Sequence, residues 1–169
     1  MINYPAQVFT PETKFSTAEA YWKDSVFLAG TIEMGNSIDW QAIAIRRLRE
    51  LPINIYNPRR VVPPDEALIS EQITWELDRI SASQFIYMYL AGNSVSPISL
   101  YELGLLQGGQ AQGKTVVLCC DPEYTRKMNV LVTTKHPMFS NPNIYVTHSF
   151  EGSLLRMKQE LKNVYFKAI

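Results

Sequence analysis

Five short apolar runs, set apart by stretches of helical spacing and turns, limit this chain to few architectures. They are residues 25–30 (SVFLAG), 53–56 (INIY), 84–90 (QFIYMYL), 115–120 (TVVLCC) and 143–147 (NIYVT). Runs of this length bounded by glycine, proline or asparagine suit strands buried on both faces. Between them lie helical patterns. Asn36 or Ser37 can cap a helix carrying Ile38, Ile45, Leu48 and Leu51, and a second helix runs from about Asp65 to Ala82. A third holds Glu102 and ends near Gly108-Gly109, and a last one, about Ser149 to Phe166, buries Leu154, Leu155, Leu161 and Val164. Strands alternating with helices form parallel β-α-β units, with right-handed crossovers and helices on both faces of one sheet.

The expectation is therefore an α/β fold: a flavodoxin-like, doubly wound, five-stranded parallel sheet of order 2-1-3-4-5. Residues 1–24 show no period and contain Pro5 and Pro11, so they read as an irregular N-terminal arm before a domain spanning residues 25–169. A chain of 169 residues with 46% apolar side chains can fill one sizeable core.

Composition excludes several classes. Sixteen basic and sixteen acidic residues cancel, and no basic stripe exists to track nucleic acid or a membrane surface. The start, MINYPAQVFTPETK, lacks the basic and apolar segments of a signal peptide, and no 18-residue apolar span occurs. Adjacent Cys119 and Cys120 make a poor staple and suit core thiols of a reducing cytoplasm. His136 and His148 stand alone, so neither a metal nor a cofactor is expected.

In a sheet of this order, ligands bind beyond the carboxyl ends of the strands where the winding reverses. Two loops meet there, Gly30–Gly35 and Ala91–Ser99, and Glu102 follows the second within SPISLYELG, residues 96–104. Ser99 and Glu102 have the spacing of a capping box. If Ser96-Pro97 starts the helix instead, as proline at the first helical position favours, Glu102 lies in the second turn and is free for chemistry. The Gly30–Gly35 loop fits neither a Walker A nor a dinucleotide fingerprint. Its glycines let backbone N–H groups approach an anion or a sugar hydroxyl, or simply make a tight turn. On the second helix, Ile69, Ile73, Leu77 and Ile80 fall within about an 80° arc with Glu76 at its edge. An acid there is paired, for instance with Arg59 or Arg60, or functional. Asp78 and Arg79 read as solvated surface, and Tyr87, Tyr89 and Tyr101 as core or pocket wall.

Several segments together resemble the nucleoside 2-deoxyribosyltransferase-like family. They are Val26–Gly35 with Asp39-Trp40-Gln41, Asn57-Pro58-Arg59-Arg60, Gln72–Glu76, and above all Ser96–Ser99 with Glu102-Leu103-Gly104. The likeness spans about residues 25–160. It implies that Glu102 is a nucleophile attacking the anomeric carbon of a 2′-deoxynucleoside, as in a retaining glycosidase, through a covalent deoxyribosyl-enzyme. A carboxylate suits the role, being ionised at neutral pH at its ordinary pKa. The departing base needs a proton, and Glu76 matches an acidic position that can supply it. The likeness also places Gly30, Thr31, Glu33, Gly35, Gln84, Ser96 and Ser99 at the substrate. Gln84 stands where the family commonly has an aspartate and cannot donate a titratable proton.

Arg126, Asn129 and Val130 resemble an R-x-x-N-V segment through which a neighbouring subunit completes the site. The implied assembly is thus a homo-oligomer acting on a small nucleoside or nucleotide and a free base. Two other readings share these residues. One is a 5′-monophosphate N-glycosidase, with Thr31, Ser96 and Ser99 as hydroxyl donors. The other is a nucleotide-binding domain without turnover.

Overall fold

The computed structural model describes residues 6–13, 24–33, 38–62, 64–110 and 113–167. Among these residues six parallel strands form one sheet: β1 (Gln7–Phe9), β2 (Ser25–Gly30), β3 (Asn54–Tyr56), β4 (Phe85–Leu90), β5 (Thr115–Cys120) and β6 (Ile144–Thr147). Their order is β1-β3-β2-β4-β5-β6. The five expected strands keep the 2-1-3-4-5 arrangement. The sixth, β1, lies within the expected N-terminal arm and adds to the outer edge of β3, with Val8 opposite Ile55. Three residues between prolines are too short to show a period, and only Phe9 of them is buried. Its partner edge, not its own sequence, makes this segment a strand.

Among the described residues five α-helices cover the sheet: α1 (Trp40–Leu48), α2 (Glu66–Ala82), α3 (Pro97–Leu105), α4 (Lys127–Lys135) and α5 (Phe150–Lys167). The alternation of side chains along β2 splits the core in two. Phe27 and Ala29 join Trp75 and Ile80 of α2, Leu103 of α3 and Val130 of α4. Val26 and Leu28 face the other way, against Trp40, Ala44 and Leu48 of α1 and Leu154, Met157 and Leu161 of α5. Each fully buried large side chain contributes roughly 1.5–3 kcal/mol, which is why the apolar runs locate the strands so directly.

Several details depart from expectation. Helix α1 begins after Asp39, whose carboxylate accepts a hydrogen bond from Ala42 N at 3.0 Å. Ile38 precedes it and is exposed, while Leu51 packs beyond its end. The expected caps Asn36 and Ser37 lie outside the described residues. Met157, not Leu155 or Val164, fills the core side of α5. Helix α4 buries just Val130 and Thr134, and its sequence KMNVLVTTK is rich in β-branched residues, so no helical period shows. After α3 the chain kinks within Leu106–Gln110, where Gly109 leaves helical geometry at φ 125°.

Candidate active site

Where β2 and β4 part, β2 leads toward α1 on one face and β4 toward α3 on the other. A cavity of about 480 Å³ opens there, within the range of small-molecule sites. Its walls are the end of β2 (Ala29, Gly30, Ile32, Glu33), the loop after β3 (Pro58, Arg60, Pro64), one side of α2 (Ile69, Gln72, Ile73, Glu76) and the start of α3 (Ser96–Ser99, Glu102).

Gly30 permits this geometry. Its φ is 134°, and a Cβ there would sit 2.2 Å from the Tyr89 carbonyl oxygen of the neighbouring strand. Thr31 follows, buried, and its hydroxyl lies 2.6 Å from Ser96 Oγ and 3.2 Å from Ser94 Oγ. The same hydroxyl accepts from Ala91 N at 3.0 Å, and Ser94 donates to Ala91 O at 2.8 Å. This knot ties the β4–α3 loop to the end of β2. It holds Ser96 in the left-handed region, φ 43°, a conformation that costs a non-glycine residue about 1 kcal/mol or more. Ser96 is the N-cap of α3, yet its side chain caps nothing, so the first N–H groups of the helix are left without a side-chain partner from the cap. Thr31 thus builds the wall without lining the cavity.

Ser99 and Glu102 do not form a capping box. Both are buried, 5% and 8% exposed, and among the described residues neither side chain has a hydrogen-bond partner. A carboxyl kept this dry resists ionisation. Burial first, and then the charge of Glu76, push Glu102 up to about 8. The carboxylate already ionised at neutral pH, expected from its ordinary pKa, is therefore not what this pocket holds. Glu76 is also raised, chiefly by burial, against the lowering effects of Gln72 and Arg60. Gln72 Nε2 donates to Glu76 Oε1 at 2.6 Å and to Pro58 O at 2.9 Å, and Arg60 Nε donates to Gln72 Oε1 at 2.6 Å. Arg60 thus reaches Glu76 through Gln72 and not directly, while Arg59 turns away to Gln41 Oε1 and Asp39. Gln72 was not foreseen as a site residue, and Arg60 only as an ion-pair partner for Glu76. The signal was present in the spacing, since Gln72 stands one helical turn before Glu76.

The remaining expected residues divide. Glu33 lines the cavity mouth with φ 48°. Gly35 lies outside the described residues. Gln84 is a correction. It precedes β4 at the amino-terminal edge of the sheet, roughly 17–20 Å of strand from the cavity. There its Oε1 accepts from Ser25 N and Ser25 Oγ, each at 3.0 Å. It ties two strands together, and a glutamine there removes nothing from the pocket. Asn129 is exposed on α4 and does not line this cavity. Arg79 is not solvated surface: its guanidinium stacks 5.2 Å from the Tyr56 ring centre and 5.9 Å from that of Trp75. The arc on α2 is also turned, with Ile69, Ile73 and Leu77 exposed and Trp75 and Ile80 inward. Two of those isoleucines line the cavity instead of the core. Tyr101 is exposed on α3. Among the described residues, no three His, Cys, Asp or Glu stand grouped to hold a metal, and no helix is long and apolar enough to cross a membrane.

Comparison with known proteins fits this geometry. A conserved protein of known crystal structure from Enterococcus faecalis superposes with a TM-score of 0.53 over 81% of this chain and 98% of its own, at 18% identity, which speaks for the fold. No curated protein matches the chain. The family model described as nucleoside 2-deoxyribosyltransferase like matches residues 23–124, a stretch that runs from the start of β2 past β5 and contains every wall of the cavity. With the sheet, the reversal point and the Glu76–Glu102 pair all inside that match, the chain belongs to the nucleoside 2-deoxyribosyltransferase-like family.

Proposed function

We propose that this protein cleaves the N-glycosidic bond of 2′-deoxynucleosides and transfers the 2-deoxyribosyl group to another base through a covalent intermediate on Glu102. The observation that carries the reading is Glu102 itself: a buried carboxyl without a hydrogen-bond partner among the described residues, on the wall of a cavity it shares with a second acid. Evolving charge, not packing, accounts best for such a group. As the C1′–N bond breaks, its electron pair leaves with the base and a Glu102 oxygen bonds C1′. The positive charge developing on the sugar favours ionised Glu102 at that moment. Glu102 gives up its proton to solvent or to Glu76 before attack, so that the reacting pair carries one proton, on Glu76, and Glu76 gives that proton to the base. The incoming base then attacks C1′, returns a proton to Glu76 and frees the Glu102 carboxylate.

Charge favours a nucleoside over a nucleotide. Glu33, Glu76 and Glu102 line the cavity, and Arg60, the one cation among the described lining residues, is engaged by Gln72 and, at 3.5 Å, by Glu71. With Arg60 already engaged, no free cation among the described lining residues is left to hold a 5′-phosphate. One feature supports the alternative, hydrolysis of a monophosphate: the uncapped start of α3, with Ser96 and Ser99 beside it. Chromatography after incubation with deoxynucleosides and their 5′-monophosphates, with and without a second base, separates the two. New nucleosides formed only with acceptor present support transfer; free base released from monophosphates alone would replace it with hydrolysis. Glu102→Ala should abolish either.

The exposed apolar side chains of Ile69, Ile73 and Ile98 at the cavity, with Leu77 and Tyr101 nearby on the same helices, fit a surface covered by a second copy. We take the working form to be a homo-oligomer, with Asn129 reaching a neighbour's cavity. Mixing inactive Glu102→Ala and Asn129→Ala proteins should restore activity in hybrids; mixtures that stay inactive would remove Asn129 from the site. The buried thiols Cys119 and Cys120 suit a reducing cytoplasm.

A further inference from the structure

The chain of donors that ends on Glu76 has only one possible direction. Arg60 can donate but never accept, so the Gln72 atom facing it is the amide oxygen. The Pro58 carbonyl can only accept, so the atom facing it is the amide nitrogen. These two neighbours fix which way the amide is turned, independently of Glu76. The second hydrogen on Nε2 then goes to Glu76 Oε1 at 2.6 Å. An oxygen receiving that hydrogen in so short a bond does not also carry a proton toward the same donor.

We infer that Gln72, turned by Arg60, is a positioning residue that makes Oε1 of Glu76 a standing acceptor and leaves Oε2 to carry the proton to the departing base. The inference rests on the proposed role of Glu76 as the acid. It adds what selects the donating oxygen and what sharpens the acid. A hydrogen bond to the ionised form makes the acid stronger, and Gln72 acts on Glu76 in that sense. The other charged groups around Glu76 are Arg60 from the loop after β3, Glu102 from α3 and Glu33 from the end of β2, all on the same cavity. Arg79, one turn further along α2, is directed to Tyr56 and Trp75.

Two substitutions separate donation from packing. Gln72→Glu keeps the shape and can still accept from Arg60 but, ionised, has no hydrogen for Glu76 and adds a like charge beside it, whereas Gln72→Met keeps bulk and adds no charge, so the Met variant isolates the lost hydrogen bond. Each is compared with wild type on paired nucleosides that differ in leaving ability, 2′-deoxyuridine with 5-fluoro-2′-deoxyuridine, or 2′-deoxyguanosine with its 7-methyl cation. The expected kcat loss is roughly 10–100-fold for the poor leaving base and under about threefold for the good one. Carbon-13 NMR of the Glu76 carboxyl should show its titration moving to higher pH in both variants. Equal losses on both nucleosides, or an unmoved Glu76 titration, would reduce Gln72 to a packing residue while leaving the transfer reading intact. If wild type forms no Glu102-dependent product, the acid role falls with the transfer reading, and a moved NMR titration would then show a hydrogen bond without catalytic purpose.

Discussion

Glu102→Gln should stabilise the fold while abolishing turnover, and the gain should depend on pH. In the unfolded chain this carboxyl ionises near 4.5, whereas in the folded protein it keeps its proton to about 8. Between those values the unfolded state binds fewer protons than the folded state, so stability falls as pH rises. One pH unit is worth about 1.4 kcal/mol. The distance from 4.5 to about 8 therefore sets a ceiling of about 5 kcal/mol. The open cavity lets water and side chains relax around the charge, which reduces the realised penalty to roughly 2–4 kcal/mol. Glutamine has nearly the same shape and no charge, so it escapes this cost. Its own desolvated amide carries a penalty, but one that does not change with pH. Calorimetric melts of both proteins at pH 5 and pH 8.5 isolate the term. The Tm advantage of Glu102→Gln should grow by roughly 5–10 °C between the two, at a few degrees per kcal/mol for a chain of this size. Equal pH slopes for the two proteins would mean that Glu102 is paired or solvated, and the argument for a reactive carboxyl would fail.

Other perturbations probe the supports of the site. Wild-type kcat/KM should be bell-shaped in pH with an alkaline limb near 8, where the Glu76–Glu102 pair loses its last proton; activity rising steadily through pH 9 would contradict a proton-bearing pair. Thr31→Val removes the hydroxyl that accepts from Ala91 N and meets Ser96, and should cost about 1–3 kcal/mol in urea unfolding with a marked loss of kcat. A change below about 0.5 kcal/mol would show the hydroxyl knot to be dispensable. Gln84→Ala should lose roughly 1–2 kcal/mol of stability from its two bonds to Ser25 and keep kcat within about twofold. A large kcat loss with unchanged stability would return Gln84 to the substrate.

The fold was legible where burial is two-sided. Strands β2, β4 and β5 are nearly continuous apolar runs because both faces are covered by helices, and no surface pattern competes with that signal. It was illegible where structure is imposed from outside. Gln7–Phe9 becomes a strand because β3 offers an open edge, and Lys127–Lys135 becomes a helix although two buried positions cannot outweigh its β-branched composition. The stripe on α2 carried a different error. Periodicity reports that Ile69, Ile73 and Leu77 share a face, but not whether that face meets a sheet, a ligand cavity or another copy.

The candidate site shows the same division one level down. Glu102 stood out because a charge at the mouth of a reversal point has few innocent explanations, and the helix starting at Ser96-Pro97 left it uncommitted. Gln84 misled because the family likeness put it at the substrate, although as the first residue of its run in a parallel sheet it stands at the amino end; the register, Val26 opposite Phe85, keeps it there. Gln72 was overlooked for a related reason. A neutral amide becomes informative only when its neighbours are known, and here a donor that cannot accept and a carbonyl that cannot donate leave it a single orientation. In the proposed mechanism the acid therefore depends on two residues, Arg60 and Gln72, whose types are ordinary and whose directionality is not. That directionality decides where the proton on Glu76 can sit, which no count of acids in the sequence could have revealed.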